Sequence, residues 1–198
     1  MPTDQVFAFV IFAIVAAITP GPSNVMIAAT GGAVGFVRGL TCALGAAVGM
    51  GLLLWMSALG LGQFIVAFPA ATLLLKWAGA AFLLWLAWRI AMAGPMSENS
   101  DGKSIGFAGA ALFQWLNPKG WLVAISAAST YLAPTPLSPF SHALILGALF
   151  FLAAFPCGLL WLGLGALLRS FLRHPRTARL FNVTMGIALA ASVLLMVR

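Results

Sequence analysis

The chain has 198 residues, of which 63% are hydrophobic and only 7% charged. A soluble domain carries about 25% charged residues, so this composition excludes a water-facing surface and points to an integral membrane protein. The net charge of +7 is not a nucleic-acid footprint, because the basic residues are scattered at segment ends, where membrane proteins use them to set orientation.

A spanning helix needs about 20 mostly apolar residues, and the stretches 5–30, 40–62, 69–92, 105–132, 141–168 and 178–197 qualify. The first could be mistaken for a signal peptide. However, residues 1–5 hold Asp4 and no Lys or Arg, and a signal peptide needs a positive start. It reads as a retained helix, interrupted by Thr19, Pro20, Gly21, Pro22, Ser23 and Asn24. Around the start of the second stretch, small residues recur every four positions at Gly31, Gly35 and Gly39, then at Gly45 and Gly49. Such spacing lets helices approach closely, and packing is the favoured reading. Lys76 and Arg89, on the third stretch, are long enough to snorkel to opposite interfaces. Residues 94–103 form the strongly polar link of the chain.

The fourth stretch contains Gln114, Trp115, Leu116, Asn117, Pro118 and Lys119. A lysine at that depth is expensive, and intramembrane ionisable residues mark functional sites by default. The fifth carries Pro156 beside Cys157, which reads as a simple kink. Cys42 and Cys157 offer no metal spacing and no disulfide framework, and read as small packing residues. Arg169, Arg173, Arg176 and Arg179 precede or open the sixth stretch. They read as a topology anchor more readily than as a lipid head-group patch.

The basic connections alternate with the uncharged ones at 61–70 and 133–140. Keeping positive loops cytoplasmic puts both termini outside. The spans divide into halves 5–92 and 105–197 within one transporter domain, 1–198, joined by the cytoplasmic linker. A half with an odd number of spans inverts its successor. The expected fold is therefore all-α: six transmembrane helices in two inverted three-helix repeats, with helices 1 and 4 broken, a pattern seen in secondary transporters.

Proline removes a backbone donor and clashes with the carbonyl four residues earlier. Pro20 and Pro22 free the carbonyls of Ala16 and Ile18, and Pro118 frees that of Gln114. Such breaks survive in hydrocarbon only when buried in protein or lining a cavity. Each new half-helix begins with free N–H groups that favour an anion. Both breaks lie ~15–18 Å from the cytoplasmic ends of their helices at 1.5 Å per residue, so they can meet near the midplane. The expected substrate site is Thr19, Pro20, Gly21, Pro22, Ser23, Asn24, Gln114, Asn117, Pro118 and Lys119. Free carbonyls would take an ammonium group, and the half-helix N-termini with Asn24, Asn117 and Lys119 a carboxylate. That inventory suits the zwitterionic end of an α-amino acid. Asp4, Glu98 and Asp101 all lie outside the spans, so a cationic side chain would find no buried partner and a neutral one is expected. Trp115, Trp121, Phe155 and Trp161 are candidates to line its pocket.

Thr19-Pro20-Gly21-Pro22 and Leu116-Asn117-Pro118-Lys119 resemble the signatures of the lysine exporter (LysE/RhtB) superfamily, and residues 77–89 resemble that family's third helix. The resemblance covers almost the whole chain. Residues 77–91, 127–131 and 169–182 are most similar to cysteine and O-acetylserine exporters. Many members carry asparagine directly after the second proline, where this chain has Ser23 with Asn24 following; which of the two meets substrate stays open. The resemblance implies export of amino acids across the bacterial inner membrane, driven by the proton gradient. The substrates implied are cysteine, O-acetylserine, homoserine, threonine or similar. With no intramembrane carboxylate, the coupling group is open among Lys119, the substrate amine and no residue at all.

An ion channel, or a carrier for another small metabolite, is the alternative, but a cation path would normally place carboxylates along its length. A membrane enzyme would need a nucleophile with a base, and His142 and His174 lie in or beside connections without one. No enzyme activity, cofactor, metal or nucleic acid is expected. The expected partners are the amino acid and membrane lipids, and assembly into a homo-oligomer is compatible with the sequence.

Overall fold

The computed structural model describes residues 2–93, 105–132, 138–168 and 174–197, with side chains to residue 193. The linker 94–103, Arg169 and Arg173 lie outside the described residues. Helix α1 (Thr3–Ile18) ends at Thr19, and α2 (Pro22–Val34) begins with proline at its first position. Proline suits that position, because its missing N–H would be unpaired there in any case. The two helices meet at a 58° bend. Gly35, at φ 82°, ends α2 and starts α3 (Phe36–Met56). A π-helical turn at Ser57–Leu61 carries the chain into α4 (Gly62–Ala67), and α5 (Pro69–Ala91) follows Phe68. The fourth apolar stretch is two helices, α6 (Phe107–Leu116) and α7 (Pro118–Tyr131), separated at Asn117. The chain closes with α8 (Pro139–Leu168) and α9 (Pro175–Val197).

Phe36–Ala67, Pro69–Ala91 and Pro139–Leu168 are each long and apolar enough to cross a membrane, and the bent pair α1–α2 makes a fourth such unit. The chain is a multi-pass, all-helical membrane protein. Its second span runs well beyond the expected 40–62, because the π turn absorbs the irregularity near Gly62 instead of ending the helix. Pro156 sits inside a continuous α8.

The packing crosses between the halves. Helix α8 lies against α1, α2 and α3, while α3 also carries α6 and α7, and α5 pairs with α9. The glycine stripe serves these contacts. Backbone of α6 at Phe107 and Ala111 lies where side chains on Gly45 and Gly49 would have to go. Buried apolar residues form two clusters. One joins Met26, Cys42, Leu83, Phe113, Leu162 and Leu189. The other joins Phe9, Met50, Leu53, Trp121, Leu146 and Phe150. The first draws on α2 and α6, the second on α1 and α7, so each chain break falls between the two cores.

Gly60 in the π turn has φ 116°, a region L-residues rarely occupy, and no atom lies within 4 Å of where its Cβ would be. Gly60→Ala therefore tests backbone conformation alone. It is expected to lower stability by about 1–2 kcal/mol, read as a lower melting temperature of the detergent-solubilised protein. An unchanged melting temperature would show that the turn relaxes freely.

Candidate functional site

The two broken segments meet. Lys119, in the first turn of α7, reaches back across the first break, where its Nζ donates to the Thr19 carbonyl at 2.6 Å and the Pro20 carbonyl at 3.4 Å. Gln114, in the last turn of α6, donates from Nε2 to Ser23 Oγ at 2.9 Å. Two side chains of the second break thus contact the first.

The freed carbonyls are not where simple counting puts them. The Ile18 carbonyl accepts Trp161 Nε1 from α8 at 3.3 Å, and the Gln114 carbonyl accepts the Asn117 amide at 3.3 Å. Asn24 donates from Nδ2 to the Ala17 carbonyl at 3.0 Å and to the Thr19 carbonyl at 2.8 Å. Trp121 Nε1 caps the Trp115 carbonyl at 2.8 Å. The expectation of bare carbonyls at Ile18 and Gln114 is corrected: the protein's own donors satisfy them, as an apolar surrounding requires. The carbonyls that meet an ammonium group are those of Thr19 and Pro20, and the group they meet is Lys119.

A cavity of about 60 Å³ lies between the breaks. Since one water needs about 10–15 Å³ by this measure, it has room for roughly four to six. Gly21, Ser23, Asn24, Gln114, Asn117 and Lys119 all contribute to its wall. Thr19, Pro20, Pro22 and Pro118 do not. Pro22 and Pro118 are buried and shape the breaks, whereas Thr19 and Pro20 lie on an exposed rim. That rim tolerates exposure because the Thr19 carbonyl already accepts from both Asn24 and Lys119. Asn24, Gln114 and Asn117 are 7%, 2% and 2% exposed, respectively. Asn117 Oδ1 is buried and accepts no hydrogen bond among the described residues. A buried acceptor left unpaired costs about 1–3 kcal/mol, so the position favours a ligand carrying an N–H donor.

The remaining wall is apolar and small. Helix α3 supplies Ala43, Ala46, Ala47 and Met50, and α8 supplies Phe150, Ala154 and Gly158. Sequence reasoning missed this wall, because alanines in a membrane helix look like ordinary packing. Trp115, Trp121, Phe155 and Trp161 are absent from it. Trp115 and Trp121 stack edge to face at 6.0 Å between centroids, and Trp161 serves as a carbonyl cap. Cys42 and Cys157 are buried free thiols.

The model of the LysE type translocator family matches residues 14–197. The chain belongs to this family. Among curated proteins, the cysteine/O-acetylserine efflux protein of Salmonella typhimurium is 35% identical over 127 residues, covering 64% of this chain and 65% of the relative. The protein of that name from Klebsiella pneumoniae is 31% identical over 139 residues, covering 70% of this chain and 71% of the relative. Its Escherichia coli K12 counterpart is 32% identical over 127 residues, covering 64% and 65%. The chain thus spans 65% of the length of the first relatives it matches. No solved structure matches it. The resemblance to the cysteine/O-acetylserine subgroup is carried by these relatives as well as by the motifs.

At Gly21 this LysE-type chain brings the Lys119 side chain close against the first break. A Cβ there would lie 2.8 Å from Lys119 Cδ and 3.0 Å from its Nζ. The backbone at Gly21 is extended, at φ −176°, so alanine brings no backbone strain. Gly21→Ala is expected to push Lys119 off the Thr19 and Pro20 carbonyls. Transport should fall roughly tenfold, the equivalent of about 1.4 kcal/mol, with the melting temperature unchanged. Wild-type transport in this variant would show that the lysine's position is not critical.

Proposed function

We propose that the chain is a secondary transporter, not an enzyme, and that it exports small neutral amino acids or their derivatives across the bacterial inner membrane. Cysteine and O-acetylserine lead the candidates, with homoserine and threonine next. The observation that carries this reading is the cavity between the breaks, whose wall joins Lys119 and Asn117, the latter with an Oδ1 unpaired among the described residues, to the alanines of α3. A substrate carboxylate would meet Lys119 and the N-terminal ends of α2 and α7, whose dipoles favour negative charge. A substrate ammonium would meet Asn117 Oδ1 and the break carbonyls. Among the described residues the cavity wall contains no Asp or Glu, so a lysine or arginine side chain would be buried there without a counter-charge from them. The names of the curated relatives point to the same substrates.

Six spans as two inverted repeats complete the proposal. Helices α6 and α7 have 10 and 14 residues, together about 36 Å at 1.5 Å per residue, enough for a ~30 Å hydrocarbon core. The packing supports a repeat. The broken span of each half lies on the second span of the other, α1–α2 on α8 and α6–α7 on α3, while α3 meets α8 and α5 meets α9. Both termini face the periplasm by the charge rule, and a proton gradient drives export.

Purified protein in vesicles loaded with labelled cysteine, O-acetylserine and arginine, with and without a pH gradient, tests this reading. Protein-dependent efflux of the neutral pair is expected to exceed that of arginine by roughly tenfold or more, since a charge at a helix centre costs about 2.5–3.5 kcal/mol on insertion scales. Preferential efflux of arginine would sink the substrate assignment.

A further inference from the structure

Lys119 does not point at an empty site. Its ammonium is bonded to Thr19 O at 2.6 Å and Pro20 O at 3.4 Å, the break carbonyls that the proposed function assigns to a substrate ammonium. Gly21 is what lets it cross, since a side chain there would collide with the lysine's far end. The lysine also forms part of the cavity wall, so a modest swing of its flexible stem would carry its charge from the carbonyls to a ligand inside.

We propose that Lys119 is a resident ammonium that substrate must displace. The inference rests on the reading of the cavity as an amino-acid site. The substrate carboxylate draws Lys119 away from the Thr19 and Pro20 carbonyls, and the substrate ammonium takes them over. The exchange keeps the Pro20 carbonyl, which has no second side-chain donor among the described hydrogen bonds, partnered throughout. It also explains how a site containing a fixed cation can admit a second one. A ligand with an ammonium but no carboxylate cannot hold the displaced lysine and meets like-charge repulsion instead. The site therefore demands both charged ends on one molecule. The lysine acts as a specificity-determining residue through the ammonium end as well as the carboxylate end.

The two roles separate in binding measurements on the full chain in detergent, followed by calorimetry. The ligands are cysteine and cysteine methyl ester, compared at a mildly acidic pH where the ester's amine is protonated, so that it keeps the ammonium and lacks the carboxylate. Wild type is expected to bind cysteine and to reject the ester. In Lys119→Met the Pro20 carbonyl loses its side-chain donor and the Thr19 carbonyl keeps only that of Asn24, so ester binding should tighten at least roughly tenfold over wild type while cysteine binding weakens by a similar factor. If that variant does not fold, Lys119→Leu, which also lacks a side-chain donor, carries the same expectation. A lysine that only clamps the carboxylate would leave ester binding equally weak in wild type and variant, and that result would overturn the exchange. Failure of wild type to bind cysteine at all would remove the amino-acid site itself, and the exchange with it. Cysteine binding with no gain for the ester would remove the exchange alone.

Discussion

Replacing Lys119 by methionine is expected to abolish export while the protein still inserts and folds. Methionine keeps the apolar stem and removes the charge. The fold should tolerate this, because the Thr19 carbonyl keeps its bond from Asn24 Nδ2 at 2.8 Å, and a charge at a helix centre is itself worth about 2.5–3.5 kcal/mol of insertion cost. Transport is another matter. Removing one member of a buried, hydrogen-bonded charge pair costs about 2–5 kcal/mol, which at about 1.4 kcal/mol per tenfold is a loss of roughly 30-fold to several thousand-fold. Efflux normalised to folded protein reads the effect. Wild-type rates would mean that Lys119 only braces the break.

The second large effect lies away from the cavity, at the crossing of α2 and α8. A Cβ on Gly165 would overlap the Ala28 carbonyl and approach the Gly32 amide at 2.9 Å, and a Cβ on Gly31 would overlap the Leu162 carbonyl. These neighbours are backbone and cannot swing aside. Gly165→Ala must therefore separate two helices whose contact buries Ile27 and Leu162. Overpacking of this kind costs about 1–3 kcal/mol or more, a large share of the stability of most domains. The expected result is a sharp drop in monodisperse, detergent-stable protein, with the neighbouring Gly163→Ala as control, since its nearest contact would be an ordinary 3.8 Å from Phe36. Equal yields and melting temperatures for both variants would show that the crossing is loose.

The breaks were legible in the sequence because proline and lysine are costly in hydrocarbon, and a costly residue has to be compensated by something specific. Pro22 and Pro118 each begin a helix, and Asn117 is the residue between two of them. The way the break is satisfied was not legible. Trp161 caps Ile18 and Lys119 reaches Thr19 across long stretches of chain, and only the tertiary arrangement brings such donors to their carbonyls. The alanine wall of α3 escaped for a different reason. Ala43, Ala46 and Ala47 line a cavity with the same side chains that close packing would use, so composition could not separate the two. The π turn at Ser57–Leu61 was hidden by unbroken hydropathy through Gly60. Motifs that carry an energetic penalty announce themselves, whereas cavities made of cheap residues do not.

An exported amino acid seated between the two breaks should protect the position of Ser23 from chemical labelling. This residue is in the cavity wall and accepts from Gln114. In a background with Cys42 and Cys157 replaced, Ser23→Cys would be labelled in vesicles by a small thiol reagent. Saturating O-acetylserine is expected to slow that labelling several-fold and equal arginine to leave it unchanged. Labelling of position 23 at one rate with and without O-acetylserine, in protein that still exports it, would contradict the account.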